Sequence, residues 1–116
     1  MINSALLVGA GGSLGAISRY IVSNAIGSPN GITAVNAMGS VGLGVLMAQV
    51  TKGVIGPEMA LIIGIGFLGA FTTMSAFSMD VVKMINTGAW ARAIGYFLAN
   101  AVGCPLLALA GWKLGA

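Results

Sequence analysis

The sequence predicts an all-α membrane protein of four transmembrane helices, the third of them broken mid-membrane. Three observations predict it. Of the 116 residues, 58% are hydrophobic and only 6% are charged, whereas a soluble domain carries roughly 25% charged residues. Such a chain cannot cover its own surface in water. Four apolar stretches stand apart, each of about 20 residues, the length that a hydrocarbon core of about 30 Å demands. The third stretch is interrupted by Gly66-Phe67-Leu68-Gly69-Ala70-Phe71-Thr72-Thr73-Met74-Ser75-Ala76-Phe77-Ser78. Ser and Thr divert hydrogen bonds from the helical ladder, and Gly weakens a helix by about 1 kcal/mol relative to Ala. A broken helix survives in lipid only where protein buries it or a polar cavity receives it, and such breaks mark ion and substrate sites.

The length predicts one domain, residues 1–116. The first crossing runs from about 3 to 25. It lacks a Lys/Arg leader, carries Arg19 near its far end and shows no small-residue cleavage pattern, so it reads as a mature crossing and not a signal peptide. Gly27-Ser28-Pro29-Asn30-Gly31 turns the chain into the second crossing, about 32–51. Lys52 to Pro57 turns it again, and the third crossing runs from about 58 to 85. Asn86-Thr87-Gly88 leads into the fourth, about 90–113. Tyr20, Trp90 and Trp112 fall near crossing ends, where an interfacial aromatic belt places them. Every connection is too short for a soluble domain, so function lies within the membrane. Small residues recur at four-residue spacing in Gly11 and Gly15, in Ser40 and Gly44, and in Gly95, Ala99 and Gly103. These stripes suit close helix packing, within or between subunits.

Net charge is +3, from five scattered Lys and Arg residues. No basic patch exists, so no nucleic-acid partner is expected. There is no His, and Cys104 is the only cysteine. That excludes an intrachain disulfide and a His/Cys metal cluster, and Cys104 reads as a small packing residue. Four crossings put both termini on one side, with Lys52 and Lys113. The other side holds Lys83 and Arg92, with Arg19 if it reaches that interface. This is almost no charge bias, and it predicts insertion in both orientations, with self-pairing in antiparallel fashion.

No nucleophile–base pair with His is possible, and the only carboxylates are Glu58 and Asp80, so no enzyme activity is expected. Glu58 follows Pro57 at a helix start, where the dipole favours an anion. Asp80 and Lys83 are three apart and are expected to pair near an interface. Arg19 either snorkels to the interface or serves the site. Asn36 either glues helices or lines a wet vestibule. Met74 and Phe77 share one helix face, with Ser75 and Ser78 beside them and Phe67 and Phe71 continuing the apolar stripe. A kink there exposes carbonyls from Gly69 to Thr72, which suit a desolvated cation such as Na⁺. The half-helix beyond it points N–H groups inward, which suits an anion, and Phe ring edges carry partial positive charge. Tyr96 and Asn100, four apart, either supply donors to a polar track or bond between helices.

Together these residues resemble the CrcB/Fluc fluoride channel family, over nearly the whole chain. Gly11-Gly12-Ser13-Leu14-Gly15-Ala16-Ile17-Ser18-Arg19-Tyr20 is similar to its GGxxGAxxRY. Asn36-Ala37-Met38-Gly39-Ser40-Val41-Gly42-Leu43-Gly44 is similar to its NxxGSxxxG. Gly66 to Asp80 is similar to its GFLGxFTTFSTFSxE. The resemblance implies an antiparallel dual-topology homodimer in the cell membrane, with two fluoride pores. It implies a central structural Na⁺ held by backbone carbonyls of Gly69 and Thr72. It places the pore phenylalanines on Met74 and Phe77 and the vestibule boundary at Asn36, with Arg19 near it. Ser75, Ser78 and Tyr96 would line the route. Met74 departs from a family Phe, and Asp80 from a Glu.

The expected function is therefore passive, fluoride-specific export that lowers cytoplasmic fluoride. The alternative is a small multidrug-resistance-type, proton-coupled exporter, which requires a membrane-embedded glutamate that Glu58, at a helix start, does not supply. A third reading is a non-conducting assembly subunit, for which a polar break in the third crossing would be a costly feature.

Overall fold

The computed structural model describes residues 1–116 as helices joined by short turns. Four crossings, Ile2–Ile26, Asn30–Thr51, Pro57–Asn86 and Trp90–Gly115, are long and apolar enough to span a membrane. The bundle measures 48 × 29 × 24 Å, and its long axis matches a bilayer of about 40–45 Å with headgroups.

The third crossing is bent, and each piece has a local cause. Pro57 opens it at the first helical position, where a missing N–H costs nothing. The chain then widens into a π-helix over Ala60–Leu68 and tightens again over Gly69–Phe71. It stops at Thr72 (φ −86°, ψ 157°) and Thr73 (φ −148°, ψ 123°), both extended. A second helix runs Met74–Asn86, and the Thr73 hydroxyl caps it by accepting from the Ala76 N–H at 3.2 Å. The break therefore falls on the two threonines and not on a glycine. β-Branched residues favour extended backbone, and a Thr hydroxyl is a natural helix cap. Gly66 serves packing instead, since a Cβ there would lie 2.7 Å from the Val8 carbonyl oxygen.

The fourth crossing carries an interruption that the sequence analysis did not anticipate. Helices Trp90–Ala101 and Gly103–Gly115 meet at Val102. Pro105 explains it: with no N–H, it leaves the Ala101 carbonyl without its helical donor.

Glycines set the helix spacing. A Cβ at Gly11 or Gly15 would strike the Ile62 or Phe67 carbonyl of the third crossing, and one at Gly44 would strike Ala108 of the fourth. The stripe of Gly95, Ala99 and Gly103 on the fourth crossing packs on no helix within the protomer. Gly95 and Gly103 have open space around them and Ala99 is exposed. The smooth face that packs within the protomer is Gly111 and Gly115, whose Cβ positions meet Val41 and Val45 of the second crossing. The near half of the fourth crossing packs instead on the helix Met74–Asn86, through a core of Ile32, Phe77, Met84, Ala93 and Tyr96.

Candidate permeation site

Asn36 builds the site from the second crossing. Its Oδ1 accepts from the Thr73 N–H at 2.7 Å, and its Nδ2 donates to the Thr73 carbonyl at 3.2 Å. A single carboxamide thus satisfies both backbone groups of an extended residue at membrane depth, as an internal ladder otherwise would. The same Nδ2 donates to Asn100 Oδ1 at 2.9 Å. Asn36 is 9% exposed and Asn100 6%, and both line a cavity of about 250 Å³ at the break. Asn36 bonds the second crossing to the third and fourth and also faces the cavity.

Borrowed donors leave carbonyls free. The Thr73 N–H, which would close the helix on the Gly69 carbonyl, is spent on Asn36. The Ala76 N–H, which would close on the Thr72 carbonyl, is spent on the Thr73 hydroxyl. The Gly69 carbonyl keeps only a long 3.5 Å bond from the Thr72 hydroxyl. The Ala70 carbonyl accepts from Arg19 Nη1 at 3.0 Å. Arg19 therefore turns toward the break, which leaves Lys52 and Lys113 against Lys83 and Arg92 at the two ends.

Gly69, Thr72, Met74 and Phe77 line the same cavity as Asn36. Ser75, Ser78, Tyr96 and Arg19 do not. Ser75 Oγ lies 3.3 Å from Thr73 Oγ1, and exposed Ser78 donates to the Met74 carbonyl at 2.8 Å. Met74 is 72% exposed, at the outer edge of the cavity, whereas Phe77 is 5% exposed. Phe77 packs against Tyr96, ring centroids 5.3 Å apart and tilted by 43°. The Tyr96 hydroxyl donates to Asp80 Oδ2 at 2.9 Å. Asp80 in turn lines a second cavity of about 260 Å³ with Ser28, Lys83 and Arg92. Phe77, Tyr96 and Asp80 thus form a chain of contacts from the lining of the first cavity to that of the second.

The expected Asp80–Lys83 pair is corrected by this geometry. Asp80 is buried against Tyr96 and Lys83 is exposed. A buried carboxylate gains more from a fixed phenol donor than from a long, solvated ammonium stem, whose ordering costs entropy. Phe67 and Phe71 stack on each other, centroids 5.8 Å apart and planes within 13°.

Sequence reasoning missed Asn100 as a partner of Asn36, and missed Cys104 as a wall of the first cavity. The signal for Cys104 was present, since Tyr96, Asn100 and Cys104 recur every four residues. The Asn36–Asn100 contact spans 64 residues of chain and left no local trace.

Sequence comparison finds relatives over nearly the whole chain. The family described as CrcB-like protein, Camphor Resistance (CrcB) matches residues 6–112. The chain is 40% identical to the fluoride-specific ion channel FluC of Methanocaldococcus jannaschii, covering 96% of this chain and 93% of that one. It is 37% identical to the protein of that name from a Shewanella species, covering 97% and 96%, and 36% identical to that of Shewanella woodyi over the same shares. With the four crossings, the broken third helix and these relatives in hand, the chain belongs to the CrcB-like protein family.

Proposed function

We propose that the chain is a fluoride-specific channel subunit of the cell membrane, conducting as an antiparallel dual-topology homodimer and lowering cytoplasmic fluoride. The observation that carries the reading is the third crossing, held open by Asn36 beside a cavity lined with neither carboxylate nor Lys nor Arg. A fixed cation would trap a halide, whereas conduction needs a site that also releases it. The names of the relatives support fluoride as the ion. Fluoride that enters as neutral HF loses its proton inside and is held as an anion; a passive pore lets it leave. The Phe77 ring offers its positive edge to a desolvated anion, and transport of this kind requires no chemistry on the ion.

A second copy accounts for what the protomer leaves uncovered. Gly69, Ser75 and Ser78 are exposed in a crossing surrounded by lipid. The Gly69 carbonyl there lacks its helical donor, and an unsatisfied polar group in lipid costs several kcal/mol. An antiparallel twin covers this face and brings its own break alongside. The freed carbonyls of Gly69 and Thr72 fit a structural Na⁺, since carbonyl oxygens are hard ligands suited to an alkali cation. One chain supplies two such oxygens and its twin two more. Bound there, Na⁺ would neutralise the carbonyl dipoles that meet at the dimer axis. The charge balance of the two ends supports insertion in both orientations. No observation favours the proton-coupled exporter: Glu58 lies exposed in the first turn of its crossing.

The decisive experiment loads liposomes carrying the purified protein with fluoride and follows release with a fluoride electrode, with chloride as control. Fluoride efflux with chloride retained is expected, and vesicles that hold fluoride reject the reading. A C-terminal tag is expected to be accessible from both sides of the membrane; access from one side alone rejects dual topology. Met74 supplies a polarisable thioether where the resemblance places a ring. Met74→Phe is expected to raise fluoride efflux about two- to tenfold by adding a positive ring edge. Identical rates would show that a ring is dispensable at that position.

A further inference from the structure

We propose that Asn100 is the positioning residue of the break: it fixes the Asn36 carboxamide, and through it the Thr73 backbone and the donor that a halide meets. Only the flux arm of the test below rests on the channel reading.

Fixed groups at both ends force the polarity of the chain of bonds. At one end, the Thr73 N–H can only donate, so it must meet Asn36 Oδ1. At the other, the Tyr96 carbonyl can only accept, so it must meet Asn100 Nδ2, at 3.1 Å. The second Asn100 N–H goes to Thr33 Oγ1, also at 3.1 Å. Asn100 Oδ1 is thereby turned to Asn36, and neither carboxamide can flip without opposing like to like. The backbone of the fourth crossing, through Tyr96 and Asn100, dictates how Asn36 presents itself to the third.

The consequence for an anion follows from counting hydrogens. Asn36 Nδ2 spends one on the Thr73 carbonyl and the other on Asn100 Oδ1. No Asn36 hydrogen is free at rest. The hydroxyls of the cavity wall are engaged as well, with Ser40 donating to the Asn36 carbonyl, Thr72 to the Leu68 carbonyl and Thr73 Oγ1 lying 3.3 Å from Ser75 Oγ. A halide in the cavity obtains the Asn36 N–H only by displacing Asn100 Oδ1, while the Thr73 bonds hold. Asn100 is thus a competing acceptor. It keeps the donor pointed inward yet makes the ion's hold weak enough to be given up, the balance that a conducting site requires.

The test is a double-mutant cycle joined to a spectroscopic measurement on the intact, reconstituted channel. Asn100→Leu is expected to lower fluoride efflux about tenfold, because the Asn36 carboxamide loses its anchor. In an Asn36→Leu background the same change is expected to alter efflux by less than about twofold, since a residue acting through Asn36 has nothing left to act on. With ¹⁵N labelling, unmodified protein is expected to show two well-separated, slowly exchanging Asn36 carboxamide hydrogens. In Asn100→Leu the Asn36 hydrogen that had bonded to Asn100 and the Thr73 amide are both expected to exchange with solvent about tenfold faster or more. Additive losses in the cycle, or an unchanged Thr73 amide in Asn100→Leu, overturn the proposal. If Asn100→Leu does not assemble, the unmodified protein decides alone: freely exchanging Asn36 carboxamide hydrogens overturn it, and protected ones uphold it. These signals are read without fluoride, so a protein that fails to conduct refutes the channel reading and leaves this measurement standing.

Discussion

Asn36→Leu is expected to cut fluoride efflux from liposomes at least about tenfold, with shape and volume nearly kept. The change removes both side-chain bonds to the Thr73 backbone N–H and carbonyl. An orphaned buried amide or carbonyl costs about 1–3 kcal/mol, so losing both disfavours the extended backbone by several kcal/mol. The cheapest repair returns the Thr73 N–H to the Gly69 carbonyl, which heals the ladder and straightens the crossing. A straight helix fills the cavity and takes back the Gly69 carbonyl proposed above for Na⁺. Efflux at the unmodified rate would show that the break holds without its carboxamide, and would remove the basis for the site.

Gly15→Ala is expected to be strongly destabilising for the addition of a single methyl group. A Cβ at Gly15 would strike the Phe67 carbonyl and lie 3.0 Å from the Phe67 Cα, all backbone that no rotamer change can move aside. The first crossing must then back away from the third along its whole contact, losing dispersion over many atom pairs and displacing the break that follows Phe67. Overpacking of this kind costs about 1–3 kcal/mol or more. Gly9→Ala, with nothing within 4 Å of the added methyl, is the control. Thermal unfolding in detergent, followed by size-exclusion chromatography, is expected to rank Gly15→Ala far below Gly9→Ala; equal melting would refute glycine-set spacing.

The four crossings were legible because lipid imposes a length and a polarity that composition reveals directly. The break was legible as a region, since Gly, Ser and Thr cluster there. Its position at Thr72 and Thr73 was not, because it depends on Asn36, 36 residues earlier in the chain from Thr72. Asp80 illustrates the same limit. Local spacing favoured Lys83, and a tertiary contact with Tyr96 won. The interruption at Val102 was readable from Pro105, yet an unbroken hydropathy pattern hid it. On the fourth crossing, two small-residue faces compete, and only packing decides which one the second crossing takes.

The interruptions at Thr72–Thr73 and at Val102 have a mechanical consequence. They isolate Met74–Ala101 as a hairpin, joined to the rest by fewer contacts than bind the second crossing to Gly103–Gly115 or the first to Ala60–Leu68. Cooperative units of low contact density open first. Heat or denaturant is thus expected to reach this hairpin before the scaffold, and a partly melted molecule would remain anchored in the bilayer while the wall that Met74, Phe77 and Asn100 give the cavity had already come apart.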